Sequence, residues 1–137
     1  MCNNKSGVGL WAGDSIELYL GSEHLNQGGA LLFSDHQVLL GAKPNPKPGD
    51  WFFVNAPQQA VIAMYVVPNV DGKGYALEAA IPWHALGVIP KEGQELLFDI
   101  GVNDAPQGGE RIRQLMWNGS GRNSGDRSRW GRLHLVP

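Results

Sequence analysis

Tryptophan close to arginine and carboxylate is the combination in this sequence that could do chemistry. The chain has 137 residues and five tryptophans. A flat indole ring stacks on the apolar face of a pyranose, while carboxylates, amides and guanidinium groups hydrogen-bond its hydroxyl edge. Trp11 and Glu17 are six residues apart, so they share a face with Tyr19 if the chain is extended. Arg111 and Trp117 likewise share a parity. The pattern favours a sugar-binding face.

Each tryptophan can also serve the core. Trp83 follows an apolar run and precedes a helical turn, so core packing is the favoured interpretation for it. For Trp51 and Trp117, packing and ligand contact both stay open. The position of Trp11 beside a polar strand favours ligand contact.

Catalytic motifs are absent from the sequence. There is no Gly-x-Ser-x-Gly elbow, the single cysteine is Cys2, and the four histidines lack metal-ligand spacing. Two carboxylates can hydrolyse a glycosidic bond, but Asp14 and Glu17 point to opposite faces of an extended strand. We therefore expect no enzyme activity and no certain cofactor. A glycosidase and a haem-binding relative are the lower-ranked alternatives.

Composition narrows the partners. Hydrophobic residues make up 42% and charged residues 18%, and the net charge is −2. A near-neutral chain lacks the basic surface that nucleic acid or an anionic membrane requires, and no run approaches the ~20 apolar residues of a membrane span. No apolar signal region is visible, so we expect a cytoplasmic chain as written, or a secreted one if the N-terminus is truncated.

Short apolar runs separated by 19 glycines and nine prolines are typical of strands joined by turns. We predict a strand at 16–20, a hairpin of 30–33 with 37–40, a central strand at 60–67, and further strands at 75–81, 96–102, 111–117 and 132–136. Residues 82–86 form one helical turn. The expected fold is all-β, an antiparallel sandwich resembling a distorted jelly roll. Residues 1–137 form a single domain, with residues 1–9 as a flexible arm.

Four stretches resemble family 9 carbohydrate-binding modules, a DOMON-like class of β-sandwich. Residues 11–20 resemble the strand W-x-x-D-x-x-E, and residues 74–86 resemble GY-x-x-E-x-x-IPW-x-x-L. Residues 98–117 resemble F-x-x-x-V-N-D…R…W, and residues 130–133 resemble the closing (F/W)-G-x-L. Their order and spacing match over nearly the whole chain. The resemblance implies a β-sandwich that binds the ends of xylan or cellulose chains, typically as an appendage of a secreted glycosidase.

The resemblance also implies a site in which two tryptophans sandwich the sugar. Trp11 matches the first of them, Glu17 matches the family's glutamate, and Arg111 matches its arginine. Arg122 and Asn123 match the loop that bears an asparagine. These five residues are the candidate sugar-binding set.

The chain departs from the family in several places. Nothing aromatic stands near Gly125, where the second tryptophan is expected, and Trp130 matches an aromatic residue that usually packs. The polar Arg/Asn pair on the strand after Glu17 is replaced by the apolar residues 30–33. A structural calcium ion is implied by the family. Its candidate ligands in this sequence are Asp71, Asn103 and Asp104.

The N-terminus suggests a second hypothesis. Family members usually carry further strands before the first motif, whereas this chain starts almost at it. Exposed sheet edges and apolar surface would then drive association, so we expect a homodimer. The alternative to carbohydrate binding is therefore a dimeric protein-interaction or structural domain that has lost the ability to bind sugar.

Overall fold

The computed structural model describes residues 3–56, 59–106 and 109–137. Eight strands lie in these ranges. In chain order they are β1 (Ser15–Gly21), β2 (Asp35–Gly41), β3 (Trp51–Val54), β4 (Ala63–Pro68), β5 (Tyr75–Ala80), β6 (Glu95–Asp104), β7 (Arg113–Met116) and β8 (Gly131–His134). Two short 3₁₀ helices accompany them, the first at Gly7–Ala12 and the second at Trp83–Leu86. Cys2 lies outside the described residues. No helix in the described ranges is long and apolar enough to span a membrane.

All strand pairs are antiparallel, and they form two sheets of unequal size. The main sheet has the order β3-β2-β1-β6-β7, with β8 also paired to β6. The second sheet is a ribbon of β4 and β5. The expectation of an all-β antiparallel sandwich is confirmed, and so is the helical turn, which ends at Gly87 in the left-handed conformation (φ 63°).

Strict alternation gives the main sheet two different faces. The apolar face carries Leu20 from β1 and Val38 and Leu40 from β2, all buried in one core cluster. The ribbon and the second 3₁₀ helix supply Val66 and Leu86 to the same region of the core. The opposite face is polar and holds Glu17 and Tyr19, both buried. The functional site described below is built on this polar face.

The predicted hairpin of 30–33 with 37–40 is wrong. Residues 30–33 form no strand, and the side chain of Phe33 is 99% exposed. The partner of β2 is instead β1, joined to it by the loop 22–34. A single buried ion pair anchors this loop: Arg127 Nε lies 2.9 Å from Asp35 Oδ2, with both side chains fully buried.

The apolar stretch 60–67 is not a central strand. Its ordered part, β4, pairs with β5 alone, and both strands expose one whole face. Tyr65 and Val67 lie on that exposed face. A strand the sequence analysis missed, β3, takes the edge next to β2, and its residues Trp51 and Phe53 are buried in the core.

The N-terminal segment differs from the expected flexible arm. Asn3 is buried, and its amide donates hydrogen bonds of 2.9 Å to the carbonyl oxygens of Leu10 and Asp14. Leu10 has no exposed surface. Asn3 therefore ties the start of the described chain to the first 3₁₀ helix and to the residue that precedes β1.

Candidate functional site

Glu17 is the centre of a hydrogen-bond network on the polar face. It lies mid-strand in β1 and is only 2% exposed. Its Oε1 accepts from Asn103 Nδ2 at 2.6 Å and from Gln114 Nε2 at 3.1 Å. Its Oε2 accepts from Gln37 Nε2 at 2.8 Å and from the Tyr19 hydroxyl. Both carboxylate oxygens are therefore occupied by side chains from β1, β2, β6 and β7.

Arg111 completes the network and links it to Trp11. Its NH1 lies 3.0 Å from Asn103 Oδ1 and 3.5 Å from Glu17 Oε1. Its guanidinium carbon sits 4.8 Å from the centre of the Trp11 ring, a cation–π contact. The Arg111 backbone N–H also donates to Ala12 O at 2.8 Å, which ties this residue to the first 3₁₀ helix.

An open cavity of about 400 Å³ lies over these groups. Trp11, 44% exposed, and Val8 come from the first 3₁₀ helix and form part of its wall. The remaining lining residues are Glu17, Tyr19, Gln37, Leu39, Val54, Arg111, Gln114, Gly121 and Ser124. Within the described residues, the Arg111 guanidinium makes its hydrogen bonds through NH1, to Asn103 and Glu17.

Tyr19 is a buried member of the network and donates its hydroxyl hydrogen bond to Glu17. Burial raises its pKa far above the usual range, and the neighbouring Glu17 carboxylate raises it further. The hydroxyl therefore stays a neutral donor to Glu17 at physiological pH. The Tyr19 ring packs against Trp130, with ring centres 5.4 Å apart. Trp130 is buried, so it serves as packing beneath the site.

The structure brings together Trp11, Glu17 and Arg111 but places Arg122 and Asn123 elsewhere. The Asn123 amide is buried and donates to Asp99 Oδ2 at 2.6 Å, which closes the loop internally. Arg122 is exposed and lines a separate surface depression with Ser120, Asp126 and Arg129. Their loop neighbours Gly121 and Ser124 are the residues that line the Trp11 cavity.

Gln37 and Gln114 are the site residues that sequence analysis missed. Both line the cavity and both donate to Glu17. The strand after Glu17 was placed at 30–33, where no polar side chain is found, but the real strand is β2. Alternation along the correct strand would have put Gln37 and Leu39 on the face of Glu17.

Arg111 and Trp117 do not lie on the same face of one strand, as their even spacing predicted. β7 begins only at Arg113, and its apolar-face residue Leu115 pairs with Val102. Trp117 lies on that face, 6.2 Å from Phe98 between ring centres, and is 60% exposed. Arg111 reaches the polar face instead. The other tryptophans, at positions 51 and 83, pack in or against the core.

Two of the calcium candidates already have partners within the protein. Asn103 Oδ1 faces the Arg111 cation, which disfavours a second cation at that oxygen. Asp71 accepts from the Lys73 backbone N–H within the turn between β4 and β5. No group of three or more His, Cys, Asp or Glu residues in the described ranges could hold a metal ion. Calcium binding through Asp71, Asn103 and Asp104 stays a prediction.

The sequence of this chain matches a known family of binding domains. The family model described as "Carbohydrate family 9 binding domain-like" matches residues 2–137. The chain belongs to this family. The predicted membership of family 9 is thereby confirmed over residues 2–137.

Two curated relatives and two solved structures illustrate the likeness. Endo-1,4-beta-xylanase A of Thermotoga neapolitana is 29% identical over 134 residues, and its namesake of Thermotoga maritima is 28% identical over the same length. The match covers 97% of this chain but only 12% of each xylanase. Family 9 modules of Caldicellulosiruptor kristjanssonii, solved with cellotriose and with glucose, superpose with TM-scores of 0.68 and 0.69 at 20% and 18% identity. Each superposition covers 98% of this chain and 64% of the solved chain. At this level of identity the match shows a shared fold.

Proposed function

We propose that this family 9 binding domain binds a neutral sugar residue in the cavity beside Trp11 without cleaving it. The observation that carries the proposal is a half-exposed indole beside the Arg111 guanidinium, in a cavity that also contains a carboxylate hydrogen-bonded through both oxygens. A pyranose needs an apolar platform and a set of hydrogen bonds to its hydroxyl edge. Trp11 supplies the platform, while Arg111, Gln114 and Gln37 supply polar edges.

Glu17 acts in this proposal by positioning the other groups. Its oxygens already accept from side chains on four strands, so it orients Gln37, Gln114 and Arg111 toward the cavity. The Glu17 carboxylate also balances the charge of Arg111. An uncharged ligand is favoured, because no net charge remains to attract an acidic sugar.

The same geometry lacks the pair of carboxylates that glycoside hydrolysis requires among the described residues that line the cavity. Glycosidases place two carboxylates on either side of the scissile bond. Among the described residues lining the cavity, Glu17 is the one carboxylate, and its oxygens are engaged. We therefore propose that any hydrolytic activity belongs to other domains. Glycosidase activity of this chain on a chromogenic glucoside or xyloside, lost on Glu17→Gln, would contradict the proposal.

The test of sugar binding uses one tryptophan on each face of the main sheet. Isothermal titration with glucose, cellotriose and xylo-oligosaccharides is expected to give saturable binding, since solved family members hold glucose and cellotriose. Trp11→Ala is expected to weaken binding at least tenfold, because the stacking platform is lost. Trp117→Ala, which removes an exposed indole from the opposite face, is expected to leave affinity unchanged. Equal losses in both variants, or no binding to a broad glycan array, would reject the proposed site.

A second candidate function, a dimeric interaction domain, is favoured by one observation. On the apolar face, Leu115 is 70% exposed and lies beside exposed Val102 and Trp117, beyond the area that the β4–β5 ribbon covers. Contiguous exposed apolar surface is typical of interfaces. If this face pairs two copies, sedimentation equilibrium shows a dimer and Leu115→Lys converts it to a monomer. A monomer at all concentrations would rule this candidate out.

A further inference from the structure

The lining of the cavity beside Trp11 is mixed: Gln114 on β7 and Gln37 on β2 are polar, whereas Leu39 on β2 and Val54 on β3 are aliphatic. Toward β6 and β7 the cavity is flanked by Asn103, which pairs with Gln114 across those strands. Toward β2 and β3 the neighbour of Glu17 is Leu39, and the neighbour of Gln37 is Val54. Both apolar side chains line the cavity.

The first 3₁₀ helix extends the apolar side. Val8 precedes Trp11 by one turn and contributes to the same cavity wall. Val8, Leu39 and Val54 are the aliphatic residues of the lining and together form an aliphatic wall. Leu39 is only 1% exposed, so the accessible surface of this wall belongs to Val8 and the half-buried Val54. The wall offers no side-chain hydrogen-bond donor or acceptor. The hydroxyl group of a sugar pressed against it would lose water without gaining a partner, which is costly.

We propose that the preferred ligand is a neutral sugar that carries a methyl group at the edge facing the aliphatic wall. This proposal rests on the proposed sugar-binding function and narrows its ligand class. A deoxy, O-methyl or O-acetyl sugar shares the required chemistry: hydroxyl groups for Arg111, Gln37 and Gln114, and a methyl group to bury against Val54 and Val8. Burial of one such group is worth about a fourfold gain in affinity.

The experiment compares matched sugars that differ by the methyl-bearing group. Isothermal titration is run with glucose against 6-deoxyglucose, with glucose against 3-O-methylglucose, and with xylobiose against its acetylated form. These three pairs distinguish the deoxy, ether and ester sources of the methyl group. At least one methyl-bearing member is expected to bind about fourfold more tightly than its parent.

Valine-to-threonine variants test the wall itself. Val54→Thr keeps the branched shape of a strand residue but adds a hydroxyl group to the wall. It is expected to reduce the preference for the methyl-bearing sugar to less than twofold. Val67→Thr, on the exposed face of β4, is the matched control and should keep the full preference.

The outcomes separate this inference from the function it rests on. Parent and methyl-bearing sugars binding equally, or a preference unchanged by Val54→Thr, would overturn the aliphatic-wall proposal while leaving sugar binding intact. Absence of binding to every sugar by a protein that circular dichroism shows to be folded would overturn the proposed function and this inference together.

Discussion

At the scale of single residues, the site depends on a carboxylate that the ligand does not need to touch. Glu17 accepts from Tyr19, Gln37, Asn103 and Gln114 while nearly excluded from solvent. A buried charge is tolerated only when it is paired and hydrogen-bonded, and removing its acceptor capacity leaves the donors unsatisfied. Glu17 therefore couples the stability of the fold to the shape of the site.

Glu17→Gln tests this coupling. The new amide nitrogen would face donors on either side, so we expect the free energy of unfolding to fall by about 2–4 kcal/mol, measured by urea denaturation. Sugar affinity should fall as well, because Arg111 loses its charge partner. Glu78→Gln, on the exposed face of β5, is the control and should change neither quantity. Gln114→Ala should weaken binding with little effect on stability. Full stability in Glu17→Gln would show that the network is not a structural centre.

At the scale of elements, the loop 22–34 is held by one buried cation. Arg127 NH1 donates to His24 O at 2.8 Å and to Gln27 O at 2.7 Å, and NH2 donates to Glu23 O at 2.7 Å. Its Nε pairs with Asp35, the first residue of β2. The guanidinium group thus fixes the path between the two strands that carry Glu17 and Gln37.

Arg127→Lys keeps the charge but cannot reproduce this fan of hydrogen bonds. We expect a loss of about 3 kcal/mol in unfolding free energy, since carbonyl oxygens of His24, Gln27 and Glu23 lose their charged donors. Limited proteolysis should then cut within residues 22–34 first. Arg129→Lys serves as the control, because Arg129 lies two residues after Arg127 and is exposed. If both lysine variants are equally stable, the ion pair does not hold the loop.

These elements also show where sequence reasoning succeeds and where it fails. Alternation correctly identified β1, β5 and β6, and the Pro82-to-Gly87 punctuation identified the helical turn. The apolar run 30–33 was read as a strand because local pattern cannot reveal that Arg127, far along the chain, ties down the loop beside it. Gln37 was missed for the same reason. Trp11, Glu17 and Arg111 were found through the family resemblance, since their meeting depends on strand register.

At the scale of the whole molecule, Tyr75 lies where the ribbon meets the main sheet. It is on the face of β5 that also carries Leu77, and it feels the charges of Asp14 and Asp104 from the main sheet. Its hydroxyl is buried without a hydrogen-bond partner among the described residues. Burial, reinforced by these two carboxylates, raises the pKa of Tyr75 to about 12.

Alkaline stability follows from that shift. Tyrosine in the unfolded chain ionises near pH 10, whereas folded Tyr75 holds its proton to about pH 12. The unfolded state therefore loses protons first, and its relative free energy falls as pH rises above about 10. We expect Tyr75 to cost about 1 kcal/mol of stability by pH 11. Tyr75→Phe should match the parent at pH 7 and decline less steeply between pH 9 and pH 11 in urea denaturation. Parallel pH profiles for both proteins would contradict this assignment.

The central position of β1 has a consequence for the time order of assembly. β1 is synthesised before β6, and one of its edges is completed only when residues 97–103 pair with residues 15–21. Such distant pairing raises the contact order and typically slows folding to milliseconds or seconds. A ribosome-bound chain that ends before β6 leaves that edge of β1 open and exposed to association. Glu17 gains its partners Asn103, Arg111 and Gln114 only after this distant pairing. We therefore expect the binding site to be among the last features of the molecule to form.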